Sequence, residues 1–220
     1  AWFRERRKWL LVQPDEVILA EAHKLRVPYG LKKTDRYASR RDLTLHQESV
    51  AEHKWALNYL AGYFGRLEFP DGGLDLEFVR DILQYHDYGE LKTGDKPYHQ
   101  KTKADSDAEL RLGETVFDEI PEEIAGHARY CWVEYHERKT LESRFAYALD
   151  KIESLFELLD PVNETSMKRL EFTFDHHIVV KRKATESFPV MRRFVEAVSN
   201  NMLERRVFWD ENDEIAKGSP

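Results

Sequence analysis

Within residues 83–97, LQYHDYGELKTGDKP, four side chains suited to metal binding or acid–base chemistry occur at His86, Asp87, Glu90 and Asp95. The apolar spacing before them predicts a helix that begins near Asp75 and closes with His86 and Asp87 before Gly89. An imidazole beside a carboxylate at a helix end is typical of half a metal site with mixed nitrogen and oxygen ligands. The pair also fits an exposed polar helix end, so further ligands must come from elsewhere in the chain.

Two other predicted helices offer such ligands. Ser49 and Glu52 form a capping-box pattern at the start of SVAEHKWALNYLAGYF, which places His53 in the first turns of an apolar helix. Thr140 caps LESRFAYALDKIESLFELL, where Asp150 lies among apolar positions. A carboxylate in such a helix is costly unless it is paired or bound to metal, which favours a functional interpretation.

These residues form one set of candidate metal ligands from three helices: His53, His86, Asp87 and Asp150. Two imidazoles and two carboxylates suit a single divalent ion with positions left for water and a substrate oxygen. The ligand types do not distinguish among Mn, Co, Mg, Fe, Ni and Zn.

The chain as a whole predicts one all-α domain over residues 1–220, with a core at about 14–160 and additional C-terminal helices over 161–220. Net charge is −7, which argues against nucleic acid as a partner, and no apolar run is long enough to span a membrane. The N-terminus lacks the pattern of a signal peptide, and the single cysteine, Cys131, is expected to be buried in a helix. We therefore expect a cytoplasmic protein.

The order H…HD…D resembles the HD-domain phosphohydrolase superfamily. The segments ESVAEHKWAL, HDYGELKTGDKP and EYHERKTLESRFAYALDKIES are most similar to motifs of the HD-domain 5'-nucleotidases, over about residues 31–160. This resemblance implies an HD-domain helical bundle with a metal site between core helices. It also implies hydrolysis of nucleoside, often deoxynucleoside, 5'-monophosphates to nucleoside and phosphate.

The resemblance further implies individual roles. The metal ligands would be His53, His86, Asp87 and Asp150, the catalytic groups Glu90 and Asp95, and the nucleotide-binding residues Arg36, Tyr37 and Lys101. One of the two catalytic carboxyl groups would orient the attacking water, and the other would protonate the leaving 5'-oxygen. The sequence does not divide these two roles between them.

Two departures from the family pattern affect substrate binding. The segment between Arg36 and His53 is about two residues longer, so Arg40 or Arg41 are alternatives for the phosphate-binding role. Tyr37 stands where the family has tryptophan, which leaves the sugar preference open.

Several alternatives remain at this stage. One is another HD-type reaction, on a phosphodiester or a triphosphate, although no extra histidines follow the HD pair in a pattern for a second metal. Another is a nucleotide-sensing module without turnover.

The expected partners are a small nucleotide substrate and a second copy of the chain in a homodimer. His176 and His177 are expected at the surface or an interface. The basic residues near the N-terminus are expected in a solvated arm: Arg4, Arg6, Arg7 and Lys8.

Overall fold

The computed structural model describes residues 2–25, 49–93, 101–120, 122–159, 167–168 and 171–210. Every regular element within these ranges is helical, so the all-α prediction is confirmed. None of the helices in these ranges is long and apolar enough to cross a bilayer.

The helices are α1 (Trp2–Leu11), α2 (Asp15–Leu25), α3 (Val50–Glu68), α4 (Leu76–Tyr85), α5 (Glu90–Thr93), α6 (Lys103–Gly113), α7 (Glu122–Glu137), α8 (Leu141–Glu157), α9 (Phe174–Ala184) and α10 (Pro189–Glu204). A 3₁₀ helix, Glu114–Asp118, follows α6 directly. The predicted caps are confirmed: the side chains of Ser49, Asp75 and Thr140 each accept a backbone N–H at the start of α3, α4 and α8. These hydrogen bonds fix where the three site-bearing helices begin.

A continuous apolar core extends from Leu10 in α1 to Phe208 after α10. Within it α4 packs against α3, α7 and α8, and α3 packs against α8. The apolar stripe predicted for α8 is buried, including Phe145, Leu149 and Phe156. This packing brings the end of α4 and the middle of α8 to the first turns of α3.

The C-terminal helices are part of the same packed body. Helix α10 contacts α2, α3 and α8, and α9 contacts α8 and α10. The first residue of α10 is Pro189, and its N-cap Phe188 provides no side-chain hydrogen bond. Glu68 at the end of α3 instead accepts the backbone N–H of Met191 at 2.8 Å. A carboxylate from a distant helix thus takes the place of a local cap.

Two surface predictions are wrong. The basic N-terminal segment is helix α1, and its Arg6 guanidinium lies 2.6 Å from the carboxylate of Glu21. His177 is 1% exposed and its Nε2 lies 2.9 Å from the hydroxyl of Ser199, whereas His176 is exposed as expected. Neighbouring helical residues point about 100° apart, so one histidine of the pair faces the core.

Candidate metal centre

His53 lies in the first turns of α3. The Ser49 hydroxyl accepts the N–H of Glu52 at 3.2 Å, and the Glu52 carboxylate accepts the N–H of Ser49 at 2.8 Å. This capping box fixes the turn that carries His53. Its ring Nδ1 lies 3.3 Å from a carboxylate oxygen of Glu153. A carboxylate accepts and does not donate, so Nδ1 carries a proton and Nε2 is the atom presented to the site.

His86 is held in the same way at the end of α4. It is the C-cap of that helix and is 2% exposed. Its Nδ1 donates to the carbonyl oxygen of Leu83 at 2.9 Å. The carbonyl only accepts, so the neutral ring carries its proton on Nδ1 and leaves a lone pair on Nε2.

Asp150 projects from the middle of α8 with one oxygen already engaged. The Tyr135 hydroxyl donates to its Oδ2 at 2.5 Å, and the Lys151 ammonium lies 2.6 Å from the same oxygen. Its other oxygen, Oδ1, lies 3.2 Å from His53 Nε2 and 3.8 Å from His86 Nε2. The surroundings of Asp150 therefore direct one carboxylate oxygen at both imidazoles.

The four residues predicted as metal ligands are brought together. One ligand atom from each of His53, His86 and Asp150 lies within 4.8 Å of the other two. Asp87, in the turn after α4, has Oδ2 at 3.0 Å from His86 Nε2 and 3.9 Å from His53 Nε2. Three helices thus meet at one point with two imidazole nitrogens and two carboxylates.

Electrostatics at this point favour a cation. Burial lowers the pKa of His86, but the charges and hydrogen bonds of Asp87 and Asp150 together outweigh burial and raise that pKa to about 9. Burial also lowers the pKa of His53, and its hydrogen bonds to Asp150 and Glu153 outweigh this and leave the pKa well above its usual value. The carboxylates therefore draw positive charge to the imidazoles.

The geometry also fits a metal ion. His86 Nε2 is fully buried, and although Asp87 Oδ2 lies 3.0 Å away, no described residue makes a well-aligned hydrogen bond to it, which is a costly state for a polar atom. Both nitrogens of His53 face carboxylate oxygens, so its Nε2 requires either a proton or a metal ion beside it. Two imidazole nitrogens with carboxylate oxygens are ligands that first-row divalent ions accept. These four residues would hold such an ion.

Glu90 and Lys101 line the cleft that opens above the four ligands. Glu90 begins the short helix α5, and its backbone N–H donates to the carbonyl of Asp87 at 3.0 Å. The Lys101 ammonium pairs with the carboxylate of Glu109 on α6. Both predicted residues are therefore near the site, and Lys101 is already engaged with an anion.

The remaining predicted site residues lie outside the described residues: Asp95, Arg36 and Tyr37, with the alternatives Arg40 and Arg41. Their proposed roles stay predictions.

The cleft has a volume of about 730 Å³ and extends from the candidate ligands in two directions. Towards α6 and α7 it is lined by Lys101, Glu109, His136 and Arg138. Towards α9 it is lined by Ser154, Leu158, Met167, Phe172, His177, Val180 and Lys181. A concave site with apolar walls and a few polar groups is typical of small-molecule binding.

Three supporting residues were missed from the sequence: Glu153, Tyr135 and Lys151. Glu153 follows Asp150 by three residues, so helical spacing placed it on the same side of α8 and gave a usable signal. Tyr135 comes from α7, and no local pattern links it to Asp150. Burial raises the pKa of Tyr135, and the Asp150 charge adds to the rise, so its hydroxyl stays a neutral donor.

Two comparisons with known proteins found similarities to this chain. A family model described as HD domain matches residues 30–192. The crystal structure of a protein described as a predicted metal-dependent phosphohydrolase from Magnetospirillum magnetotacticum MS-1 superposes with a TM-score of 0.61 at 20% identity, over 89% of this chain and 96% of that chain. No curated protein matches the chain. The HD domain model spans most of the sequence, including all four candidate ligands, and the chain therefore belongs to the HD domain family.

Proposed function

We propose that this protein is a metal-dependent phosphohydrolase that removes the phosphate from nucleoside 5'-monophosphates, with deoxynucleotides as the expected substrates. The observation that carries the proposal is the meeting of His53, His86 and Asp150 from three helices at the floor of a ligand-sized cleft. The printed name of the structural neighbour, a predicted metal-dependent phosphohydrolase, supports the reaction class. The resemblance to HD-domain 5'-nucleotidases supplies the substrate.

The chain's own residues provide the remaining parts of such a reaction. A divalent ion held by the four ligands would lower the pKa of a coordinated water and polarise a phosphoryl oxygen. Glu90 lines the cleft beside the ligand Asp87, a position suited to orienting the attacking water or passing a proton to the leaving oxygen. Glu153 fixes the ring of His53 through Nδ1, so the ligand atom is aligned before substrate enters.

Lys101 is the described residue suited to bind the phosphate. Its ammonium lines the cleft and pairs with Glu109. A phosphate dianion that enters the cleft offers more charge and more acceptor oxygens than this carboxylate. Lys101 would then exchange Glu109 for the substrate phosphate. The Glu109 carboxylate therefore competes with the substrate for Lys101.

The test is phosphate release from a panel of nucleoside mono-, di- and triphosphates and a phosphodiester, each with Mn, Co, Mg and Zn. We expect release from nucleoside 5'-monophosphates, loss of release with a chelator, and recovery when metal is added back. Release only from triphosphates or the diester would replace the proposed substrate and keep the reaction class. Nucleotide binding with no release under any condition would favour a sensing module.

A further inference from the structure

The part of the cleft towards α9, here called the α9 lobe, has a chemistry distinct from the metal centre. Much of its wall is formed by apolar side chains that follow α8, precede α9 or lie on α9: Leu158, Met167, Phe172 and Val180. Strongly hydrated groups such as phosphate lose much of their solvation in such surroundings. A flat, weakly solvated ring is the better match to these walls.

Lys181 is a charged side chain buried at this lobe. Lys181 is 3% exposed, lines the cleft, and donates to the carbonyl oxygen of Lys151 at 2.7 Å and to the hydroxyl of Ser154 at 2.8 Å. It forms no ion pair among the described residues, and an ammonium has three N–H donors. The charged amine thus has one N–H that no described residue accepts, and a buried donor of this kind points to an acceptor supplied by a ligand.

The position of Lys181 relative to the metal centre fits a nucleotide. Lys181 binds Lys151 and Ser154, one and four residues after Asp150 on α8, and four residues of helix rise by about 6 Å, so Lys181 lies within roughly one helical turn of that candidate ligand. A sugar is the part of a nucleotide that bridges such a separation between the 5'-phosphate and the base. Burial, together with the charge of Lys151, lowers the pKa of Lys181 to about 7. The neutral amine has two N–H groups, which Lys151 and Ser154 already accept, so the charged form is the one with a donor left for a ligand.

We infer that the α9 lobe binds the nucleobase of the substrate and that Lys181 donates a hydrogen bond to a carbonyl oxygen on the base edge. The inference rests on the proposed function and adds the substrate class: nucleotides whose base carries a carbonyl group, such as guanine, thymine or uracil. Adenine, which has no carbonyl oxygen, offers Lys181 a poorer acceptor. Lys181 is thus a specificity residue that contacts the substrate away from the reacting phosphate.

The experiment compares kcat/KM for dGMP, dTMP, dAMP and ribose 5-phosphate, which has no base, in the metal-loaded wild type and in Lys181→Met. Methionine keeps an unbranched stem and removes the donor. We expect the wild type to prefer dGMP and dTMP over dAMP, and the variant to lose about tenfold or more on those two, mainly through KM. Activity on dAMP and ribose 5-phosphate should change little.

Lys183→Met is the matched control, because Lys183 lies on the same helix, is exposed, and is two residues away. The kcat/KM of this variant should equal that of the wild type on all four substrates. An equal loss on all four substrates in Lys181→Met would show a structural role and overturn the inference. So would a wild type that treats dAMP like dGMP and dTMP, an outcome that depends on no variant.

Nucleoside binding separates this inference from the proposed function. Affinities of guanosine, thymidine and adenosine are measured by calorimetry, without any phosphate to release. Weaker guanosine and thymidine binding in Lys181→Met supports the inference even if the wild type releases no phosphate from any nucleotide. Absence of nucleoside binding, with phosphate still released equally from ribose 5-phosphate and nucleotides, would overturn the inference and keep a phosphohydrolase.

Discussion

The carboxylate of Glu153 lies 3.3 Å from Nδ1 of His53, although the two residues are 100 positions apart in the chain. Glu153 is 2% exposed, so the contact is protected from water. A carboxylate behind a ligating imidazole fixes the ring orientation and makes the ligand more basic. Glu153 therefore belongs to the candidate metal centre, although it is not placed as a ligand.

The first prediction concerns this contact. Glu153→Gln keeps the size of the side chain but removes its charge, so we expect metal affinity to fall by about tenfold. The measurement is metal content after dialysis against a series of buffered metal concentrations. Glu186→Gln, in an exposed turn, is the control and should bind metal like the wild type. Equal affinity in both variants would show that Glu153 only fills space.

The second prediction concerns Asp150. Asp150→Asn keeps the side-chain volume but removes an anion that faces both imidazoles and pairs with Lys151. We expect loss of most bound metal and activity, and a lower Tm because the Lys151 ammonium loses its partner. Elemental analysis and thermal unfolding measure the two effects. The control is Asp107→Asn, which loses only an exposed pair with Lys103. Unchanged metal content would make Asp150 a structural acid.

The third prediction concerns the turn that carries Asp87 and Glu90. A Cβ on Gly113 would lie 2.8 Å from the Cα of Gly89 and 3.0 Å from the ring of Trp132. The first of these neighbours is backbone, so Gly113→Ala must displace the turn or α6. We expect a loss of stability of about 1–3 kcal/mol and weaker metal binding, measured by denaturant unfolding and metal titration.

Gly126→Ala is the matched control for this change. Gly126 also lies in a helix, and a Cβ there would meet nothing within 4 Å. Alanine should stabilise that helix by about 0.5–1 kcal/mol. If Gly113→Ala behaved like Gly126→Ala, the close approach to Gly89 would have no consequence for the site.

The features that could be predicted from the sequence are those that depend on residues close together in the chain. The caps at Ser49, Asp75 and Thr140 involve residues three positions apart, and apolar stripes repeat every three or four residues, so the helices were visible without the fold. The candidate ligands were found because a carboxylate among apolar residues and a histidine at a helix end break those patterns. The resemblance to a known family then assigned these candidate ligands to a single metal site.

The parts that were missed depend on tertiary contacts. Tyr135 binds Asp150 from another helix. Gly113 at the end of α6 lies close to Gly89 in the turn before α5. The Glu68 hydrogen bond to the N–H of Met191 spans 123 positions. Each contact requires the relative placement of helices, which neither capping patterns nor periodicity specify. His177 was misplaced for the same reason, because the helix it faces is distant in sequence.

The fourth prediction is a pH dependence from Glu68. Burial raises the pKa of this carboxyl to about 7, although the N–H of Met191 and the charge of Arg7 act in the opposite direction. A group whose folded pKa lies above its unfolded pKa stabilises the fold at low pH. This stabilisation is lost as pH rises from about 4.5 to about 7.

Glu68→Gln removes the titration while keeping an acceptor for Met191. Relative to the wild type, we expect the variant to gain stability as pH rises from 5 to 8, by at most about 3 kcal/mol. Thermal or denaturant unfolding at several pH values measures the difference. The stability of Glu186→Gln, a change in an exposed turn, should depend on pH in the same way as that of the wild type. A pH-independent difference for Glu68→Gln would mean that Glu68 keeps an ordinary pKa.

The last prediction separates catalysis from binding at Glu90. This residue lines the cleft at the start of α5, directly after the turn that carries Asp87. Glu90→Gln keeps the size of the side chain but cannot transfer a proton. We expect kcat on nucleoside 5'-monophosphates to fall by about 10² to 10⁴, while metal content and nucleotide affinity change little. Glu77→Gln, on the exposed side of α4, should keep full turnover. Near-normal kcat in Glu90→Gln would remove Glu90 from the reaction and leave its acid–base steps to another group.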